Sequence, residues 1–202
     1  MSLSGMRLAL AVMLFALPAQ AAPLEMRYLR SENLHIANQG GAINWLDEVK
    51  LVLDLAPDGT LTGVETGKTR KHDLYRNNWT AEDVQRWTNR WSGTWKQTTT
   101  ALDLDVGLES RSCTHTKTRS GEKPQQLACG AVAKLIHFTC TTEKVPLLAP
   151  TPAGGMRPTH EVWQCRPTGT VALDRTPTPW TFAKTGCVKT LGGRRGFGYE
   201  TC

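Results

Sequence analysis

The stretch RWTNRWSGTWKQTTTALDLDV, residues 86–106, carries three tryptophans spaced four residues apart, Trp87, Trp91 and Trp95. A spacing of four brings side chains to one face of a helix. The residues around the tryptophans decide whether one helix carries all three, or whether the chain changes structure between them.

The residues before Trp91 predict a helix that begins at Thr80 and ends at Gly93. Thr80 is suited to an N-cap, with Asp83 three residues later and basic residues near the end, as the helix dipole favours. Gly93 follows the last periodic residue, where helices commonly end. The predicted apolar face consists of Ala81, Val84, Trp87 and Trp91.

After Gly93 the pattern predicts a strand, because threonines are frequent and Leu102, Leu104 and Val106 alternate with polar residues. Trp95 has the opposite parity to these three residues. A strand running from Trp95 to Val106 would therefore need a bulge or a bend.

The rest of the chain favours further strands. Period-two apolarity on both sides of Pro57, Asp58 and Gly59 predicts a β-hairpin, followed by a polar loop or ragged strand at residues 67–78. Short apolar segments separated by turn residues follow: AVAKLIHFTC, HEVWQC, GTVALD, PWTFAK and CVKTL. We expect a mainly β fold, an antiparallel barrel or sandwich with one short α-helix and a disulfide-linked C-terminal half.

Residues 1–21 have the features of a secretory signal peptide: Arg7, an apolar run from Leu8 to Leu17, and the small-residue cleavage motif at Ala19 and Ala21. We expect a mature chain of residues 22–202 forming a single exported domain, with a possible subdivision near residues 107–112. Its localisation would be periplasmic or secreted. No later segment is apolar enough for an integral membrane span.

The formal charge of the whole chain is +6, and the signal segment accounts for one of these charges. The basic residues are spread along the sequence, which argues against a nucleic-acid partner. The charge nevertheless permits weak attraction to anionic surfaces.

Six cysteines, an even number, predict disulfides in an exported protein. Turn-rich segments lie between neighbours along the chain, which favours sequential pairing of Cys113 with Cys129, Cys140 with Cys165, and Cys187 with Cys202. A zinc site from Cys113, His115, His137 and Cys140 is the weaker alternative, because the spacing is unusual for zinc. We expect no metal and no cofactor.

Two short segments carry a family resemblance. GTWK at residues 93–96, after the predicted helix, resembles the entry to the first strand of lipocalins, and DGTLTG at residues 58–63 is similar to the second strand of avidin-type barrels. The resemblance covers about ten residues of the chain. It implies a calycin-like β-barrel that holds a ligand, and it assigns no binding residue.

Catalytic motifs are absent from the sequence. The HEVWQ segment has Gln164 where a zinc-protease helix needs its second histidine. Asp103, Asp105 and Glu109 alternate with apolar residues, as on a strand with one wet face. We therefore predict no catalytic residue, although a hydrolase of envelope or extracellular polymer would draw on these three carboxylates or on His160.

These observations favour a non-catalytic binding or interaction protein, whose partner is a small apolar or sugar-like molecule or another extracellular protein. Trp87, Trp91 and Trp95 are the predicted ligand-binding residues, since aromatic rings suit flat apolar or sugar-like ligands. Clustered tryptophans also pack protein cores. Besides the hydrolase, the open alternative is a secreted inhibitor or envelope structural protein that presents the loop at residues 146–158.

Overall fold

The structure is a computed structural model that describes residues 23–36, 40–76, 78–151, 153–168, 179–194 and 196–202. The predicted signal peptide lies outside these ranges, as does the strand predicted at GTVALD.

The described residues form strands and turns and no helix. The strands are β1 (Leu24–Ile36), β2 (Gly41–Leu55), β3 (Thr60–Leu74), β4 (Thr80–Gln97), β5 (Ala101–Arg119), β6 (Gln125–Gln126), β7 (Leu135–Pro146), β8 (Thr159–Pro167), β9 (Trp180–Ala183), β10 (Val188–Gly192) and β11 (Gly198–Thr201). The polar stretch after the first predicted hairpin continues as strand β3 to Leu74.

One sheet contains all of these strands, in the order β11, β10, β1, β2, β3, β4, β5, β7, β8, β9, with the short β6 paired to β5. Every pair is antiparallel except β1 with β10, which is parallel. The sheet curls strongly into a half-barrel, so that β9 comes close to β1 and β10. The prediction of a mainly β, barrel-like fold is confirmed.

The predicted helix is wrong, because residues 80–97 form strand β4 between β3 and β5. A spacing of four equals two strand repeats as well as about one helical turn, so Trp87 and Trp91 share a face in either structure. The buried residues of β4 are all odd-numbered: Ala81, Gln85, Trp87, Asn89 and Trp91. Two of these inward residues are polar, which concealed the strand alternation in the sequence.

Gly93 has a different role from the predicted helix end. It lies opposite Val106 within the β4–β5 ladder, and a Cβ atom on it would overlap the backbone carbonyl of Asp105. Glycine is therefore required because the β5 backbone approaches closely.

Trp95 and the leucines of β5 differ in parity because they lie on the two strands of a hairpin. Residues 98–100 form the turn between β4 and β5, and Trp95 pairs directly with Leu104, on the same face. The predicted bulge between Trp95 and the leucines is absent; the register shift lies between Arg90 and Trp91 on β4, opposite Ser110 and Leu108. Strand β5 continues through residues 107–112, the stretch of the predicted subdivision.

The inner face of the half-barrel holds the main apolar core, to which β1, β2, β3, β4, β5, β7, β8 and β9 all contribute. Met26, Leu51, Leu104 and Phe138 are fully buried there. A smaller apolar cluster joins β7, β8 and β9 to β10, and includes Val162 and Val188. Because β8 and β9 contribute residues to both clusters, these two strands are buried on both sides.

The three predicted disulfides are confirmed, with the sequential pairing. Cys140 and Cys165 are directly opposite each other on β7 and β8. Cys187–Cys202 closes the β10–β11 hairpin, and Cys113–Cys129 ties the segment after β6 to β5. Because Cys113 and Cys140 are in disulfides, neither offers a free thiolate to the zinc alternative. The disulfides indicate an oxidising, extracellular compartment.

The close approach at Gly93 leads to a testable prediction. Gly93→Ala should lower the free energy of unfolding by about 1–3 kcal/mol, because the added methyl group forces the two strands apart. Gly107→Ala is the matched control, since a Cβ atom there is 3.7 Å from its nearest neighbour, an ordinary contact. Urea denaturation compares the two; equal stability of both variants would contradict the assigned role of Gly93.

Candidate functional site

At the centre of the inner face, three residues of β3 pair with three residues of β4. Gly63, Glu65 and Gly67 on β3 lie directly opposite Trp91, Asn89 and Trp87 on β4. The Trp87 indole covers Gly67 so closely that a Cβ atom there would overlap the ring. Gly67 thus makes room for the Trp87 indole of the neighbouring strand.

Glu65 is 2% exposed and accepts hydrogen bonds at both carboxylate oxygens. Trp87 Nε1 donates to Oε1 at 2.8 Å, while Trp91 Nε1 and Asn89 Nδ2 donate to Oε2 at 3.1 and 3.2 Å. The Arg111 guanidinium reaches this group through the Asn89 side-chain oxygen, at 3.3 Å. A buried carboxylate needs such donors, because burial without them is costly.

Beyond the tryptophans the inner face becomes polar over two rows of side chains that cross five strands; we call these rows the polar end. The register places ten residues there: Arg30, Asp47, Thr69, Gln85 and His115 in one row, and Glu32, Trp45, Lys71, Asp83 and Lys117 in the next. Asp47, Thr69 and Gln85 are buried, and the other seven are partly exposed. The first row is therefore the more buried base of the polar end, and the second row is its solvent-accessible rim.

Asp47 organises the β1–β3 side of the polar end. Its carboxylate accepts hydrogen bonds from the Thr69 hydroxyl and from Trp45 Nε1, the latter at 2.9 Å. The Arg30 guanidinium lies over the Trp45 ring at 4.9 Å and donates to Glu32 at 2.7 Å. That hydrogen bond, together with the charges of Asp47 and Glu32, raises the pKa of Arg30, so this side chain stays cationic.

His115 links the β4–β5 side of the polar end to a covering segment, residues 127–134. Its Nε2 is 2.7 Å from Asp83 Oδ1 and its Nδ1 is 3.1 Å from the carbonyl of Ala128. Arg111 donates to the carbonyl of Gly130 at 3.4 Å. The Cys113–Cys129 disulfide fixes the same segment, which therefore borders the inner face along the edge of β5.

The three predicted ligand-binding tryptophans lie on one strand and one face. Trp87 and Trp91 are brought together on Glu65 and are 4% and 1% exposed. Trp95 is partly buried at the far end of the core, where its Nε1 donates to the carbonyl of Ala56 at 2.8 Å. Trp87 is thus the one nearest to the polar end, directly below Gln85 in β4.

The hydrolase candidates do not form one site. Asp103 and Asp105 line an outer-face cleft of about 250 Å³, in which His137 Nδ1 is 2.5 Å from Asp105 Oδ1. Glu109 borders a different cleft, and His160 contacts the carbonyl of Thr185. The polar end contains none of these four residues.

Sequence reasoning missed Glu65, Asp47, Trp45 and Arg30. One signal was available: Glu65 has the same parity as Leu61, which is buried, and two glycines separate it from other side chains on that face. A carboxylate at a core position predicts buried donors nearby. Which residues supply them depends on the strand register.

Neither a metal centre nor a helical membrane span was found in the described ranges. No group of three or more His, Cys, Asp or Glu side chains in them is placed to hold a metal ion. Nor do they contain a helix long and apolar enough to cross a membrane.

Comparison with protein-family models, with curated proteins and with solved structures gave no match. The lipocalin-like segment GTWK, predicted to follow a helix, lies inside strand β4.

Glu65→Ala should lower the free energy of unfolding by about 3–5 kcal/mol, because it leaves two buried indole N–H groups and one amide without their acceptor. Near-ultraviolet circular dichroism should lose the signal of the ordered tryptophans. Glu143→Ala, at an exposed position of β7, is the control. A loss below about 1 kcal/mol in urea denaturation would show that Glu65 does not organise the core.

Proposed function

We propose that this chain is an exported, non-catalytic binding protein that holds a small polar, sugar-like ligand at the polar end of its inner face. The proposal combines the oxidising compartment that the disulfides indicate with the concentration of hydrogen-bonding groups on one curved face. The signal peptide at residues 1–21 and a periplasmic or secreted localisation are parts of the proposal.

The observation that carries the proposal is the placement of ten polar or amphipathic side chains in two adjacent inner-face rows. Apolar residues of similar volume usually stabilise a core at least as well as buried ion pairs do. A purely structural core would therefore be expected to continue the apolar packing found at Leu51 and Leu104. Binding of a polar ligand accounts for the change from apolar to polar inward-facing residues along the same strands.

The rim supplies the groups that a hydroxyl-rich ligand needs. Lys71 and Lys117 are donors, Glu32 and Asp83 are acceptors, and their charges alternate along the row. Trp45 lies between Glu32 and Lys71 and presents an aromatic wall. The buried row of Asp47, Thr69 and Gln85 would form the floor. Trp87, the nearest of the predicted ligand-binding tryptophans, lies directly beneath Gln85, and Trp91 and Trp95 lie farther along the apolar core.

Tryptophan fluorescence tests the proposal. The oxidised full chain is titrated with a panel of neutral mono- and oligosaccharides and with apolar small molecules. At least one saccharide should change the emission and saturate. Asp83→Asn and Lys71→Ala should each weaken that binding about tenfold or more, the effect of losing a hydrogen bond to a charged group.

Trp79→Phe is the matched control, because Trp79 is 39% exposed and stacks on Tyr75 outside the polar end. Its binding should equal that of the unmodified chain. Silence across the saccharide panel, or binding that neither rim substitution affects, would refute the proposal. Saturable binding of the apolar molecules alone would move the ligand to the tryptophans of the apolar core.

A further inference from the structure

The outer face of the sheet carries a group of cations that are far apart in the sequence. Arg27, Lys50, Lys68 and Lys189, from four strands, line an open groove of about 440 Å³, together with one carboxylate, that of Glu48. The strand order β10, β1, β2, β3 brings them together. We call this group the cationic groove.

The register places like charges directly opposite each other in the groove. Lys189, Arg27 and Lys50 follow one another in a single row, and in the next row Lys68 lies between Glu48 and Arg86. Like-charged pairs at such positions destabilise a sheet. Their presence indicates that something other than the stability of the free sheet favours them.

Besides Glu48, two further carboxylates neutralise part of this charge. Glu25 lies 2.7 Å from Arg27 and 3.5 Å from Lys50, and Glu200 lies 2.7 Å from Lys189. Burial raises the pKa of Glu25, but the hydrogen bond from Arg27 and the charge of Lys50 outweigh it and leave that pKa below its usual value. Lys68 and Arg86 form no ion pair with another described residue.

An apolar strip borders the cationic groove on the same face. Leu29 and Leu191 are direct neighbours on β1 and β10, and Gly198 of β11 is opposite Leu191. A Cβ atom added to Gly198 would point at the Leu148 side chain, which therefore lies over the outer side of β11. Leu148 is fixed there by its backbone N–H, which donates to the carbonyl of Tyr199 at 2.8 Å.

Two loops next to this strip expose large apolar side chains. Leu148 and Met156, on the loop between β7 and β8, are 54% and 95% exposed, and Phe197, just before β11, is 69% exposed. Exposed arginines are on the same two loops, Arg157 beside Met156 and Arg194 before Phe197. The strip and the groove share β1 and β10, and Gly198 on β11 is four strands from Lys68 on β3, about 19 Å across the sheet.

We propose that this outer face docks on a membrane surface that contains anionic phospholipids. The cationic groove would contact the headgroup phosphates, and Leu148, Met156 and Phe197 would enter the interfacial region of the bilayer. Cations beside exposed apolar and aromatic side chains are the combination that binds proteins to such surfaces. A soluble polyanion would match the cations but would leave the apolar side chains in water.

The proposal is independent of ligand binding at the polar end, because the inner and outer faces use different residues. It gives a role to the loop at residues 146–158, for which the sequence predicted a contact surface. The partner it names is a lipid surface, which the apolar strip and the charge of the groove favour over a protein.

Vesicle flotation with the oxidised full chain tests the proposal. The chain should float with vesicles of equal phosphatidylglycerol and phosphatidylcholine and stay behind with phosphatidylcholine alone. Lys50→Gln combined with Lys68→Gln should weaken binding about 25-fold, about fivefold for each cation. Phe197→Ser should weaken it about tenfold while the salt dependence is retained.

The control carries the same charge change elsewhere: Lys123→Gln combined with Lys144→Gln, both exposed and outside the groove. It should bind like the unmodified chain. Equal binding by the groove variant and this control overturns the proposal. A second result also overturns the proposal: the chain fails to float with anionic vesicles but binds soluble polyphosphate, and Phe197→Ser leaves that binding unchanged. Circular dichroism confirms that each variant is folded.

Discussion

The buried carboxylate of Glu65 is the constraint on which the centre of this protein depends. A charged group inside a sheet must be matched by donors, and here two indole N–H groups and an amide supply them. Each donor is on β4 and the acceptor is on β3, so a slip of register by one residue would separate them. The carboxylate therefore selects one register for the pairing of β3 with β4.

Neighbouring side chains account for the glycines of β3. Gly67 leaves room for the Trp87 indole, and Gly63 leaves room for the Leu53 side chain of β2. Covering a strand glycine with an aromatic ring also recovers packing that the glycine alone would lose. The tryptophans thus belong to the framework of the half-barrel, and the polar end is built on top of them.

The two faces of the long strands carry different chemistry. Inward residues change from apolar to polar along β1 to β5, which produces a buried base and an accessible rim. Outward residues place cations from distant parts of the chain in one groove beside an apolar strip. A sequence with dispersed charge therefore folds into a molecule with concentrated charge, because the sheet order brings β10 next to β1.

The sequence by itself determined the mainly β character, the hairpin at Pro57–Gly59 and the three disulfides, since period-two apolarity, turn residues and cysteine spacing are local signals. It predicted a helix at residues 80–93 wrongly, because Gln85 and Asn89 concealed the strand period and their partners Glu65 and Thr69 are distant in the chain. Only the tertiary structure decided the register, and with it the Glu65 cluster, the polar end and the cationic groove. These features depend on side chains from different strands, whose proximity arises from hydrogen-bonded pairing that no local pattern specifies.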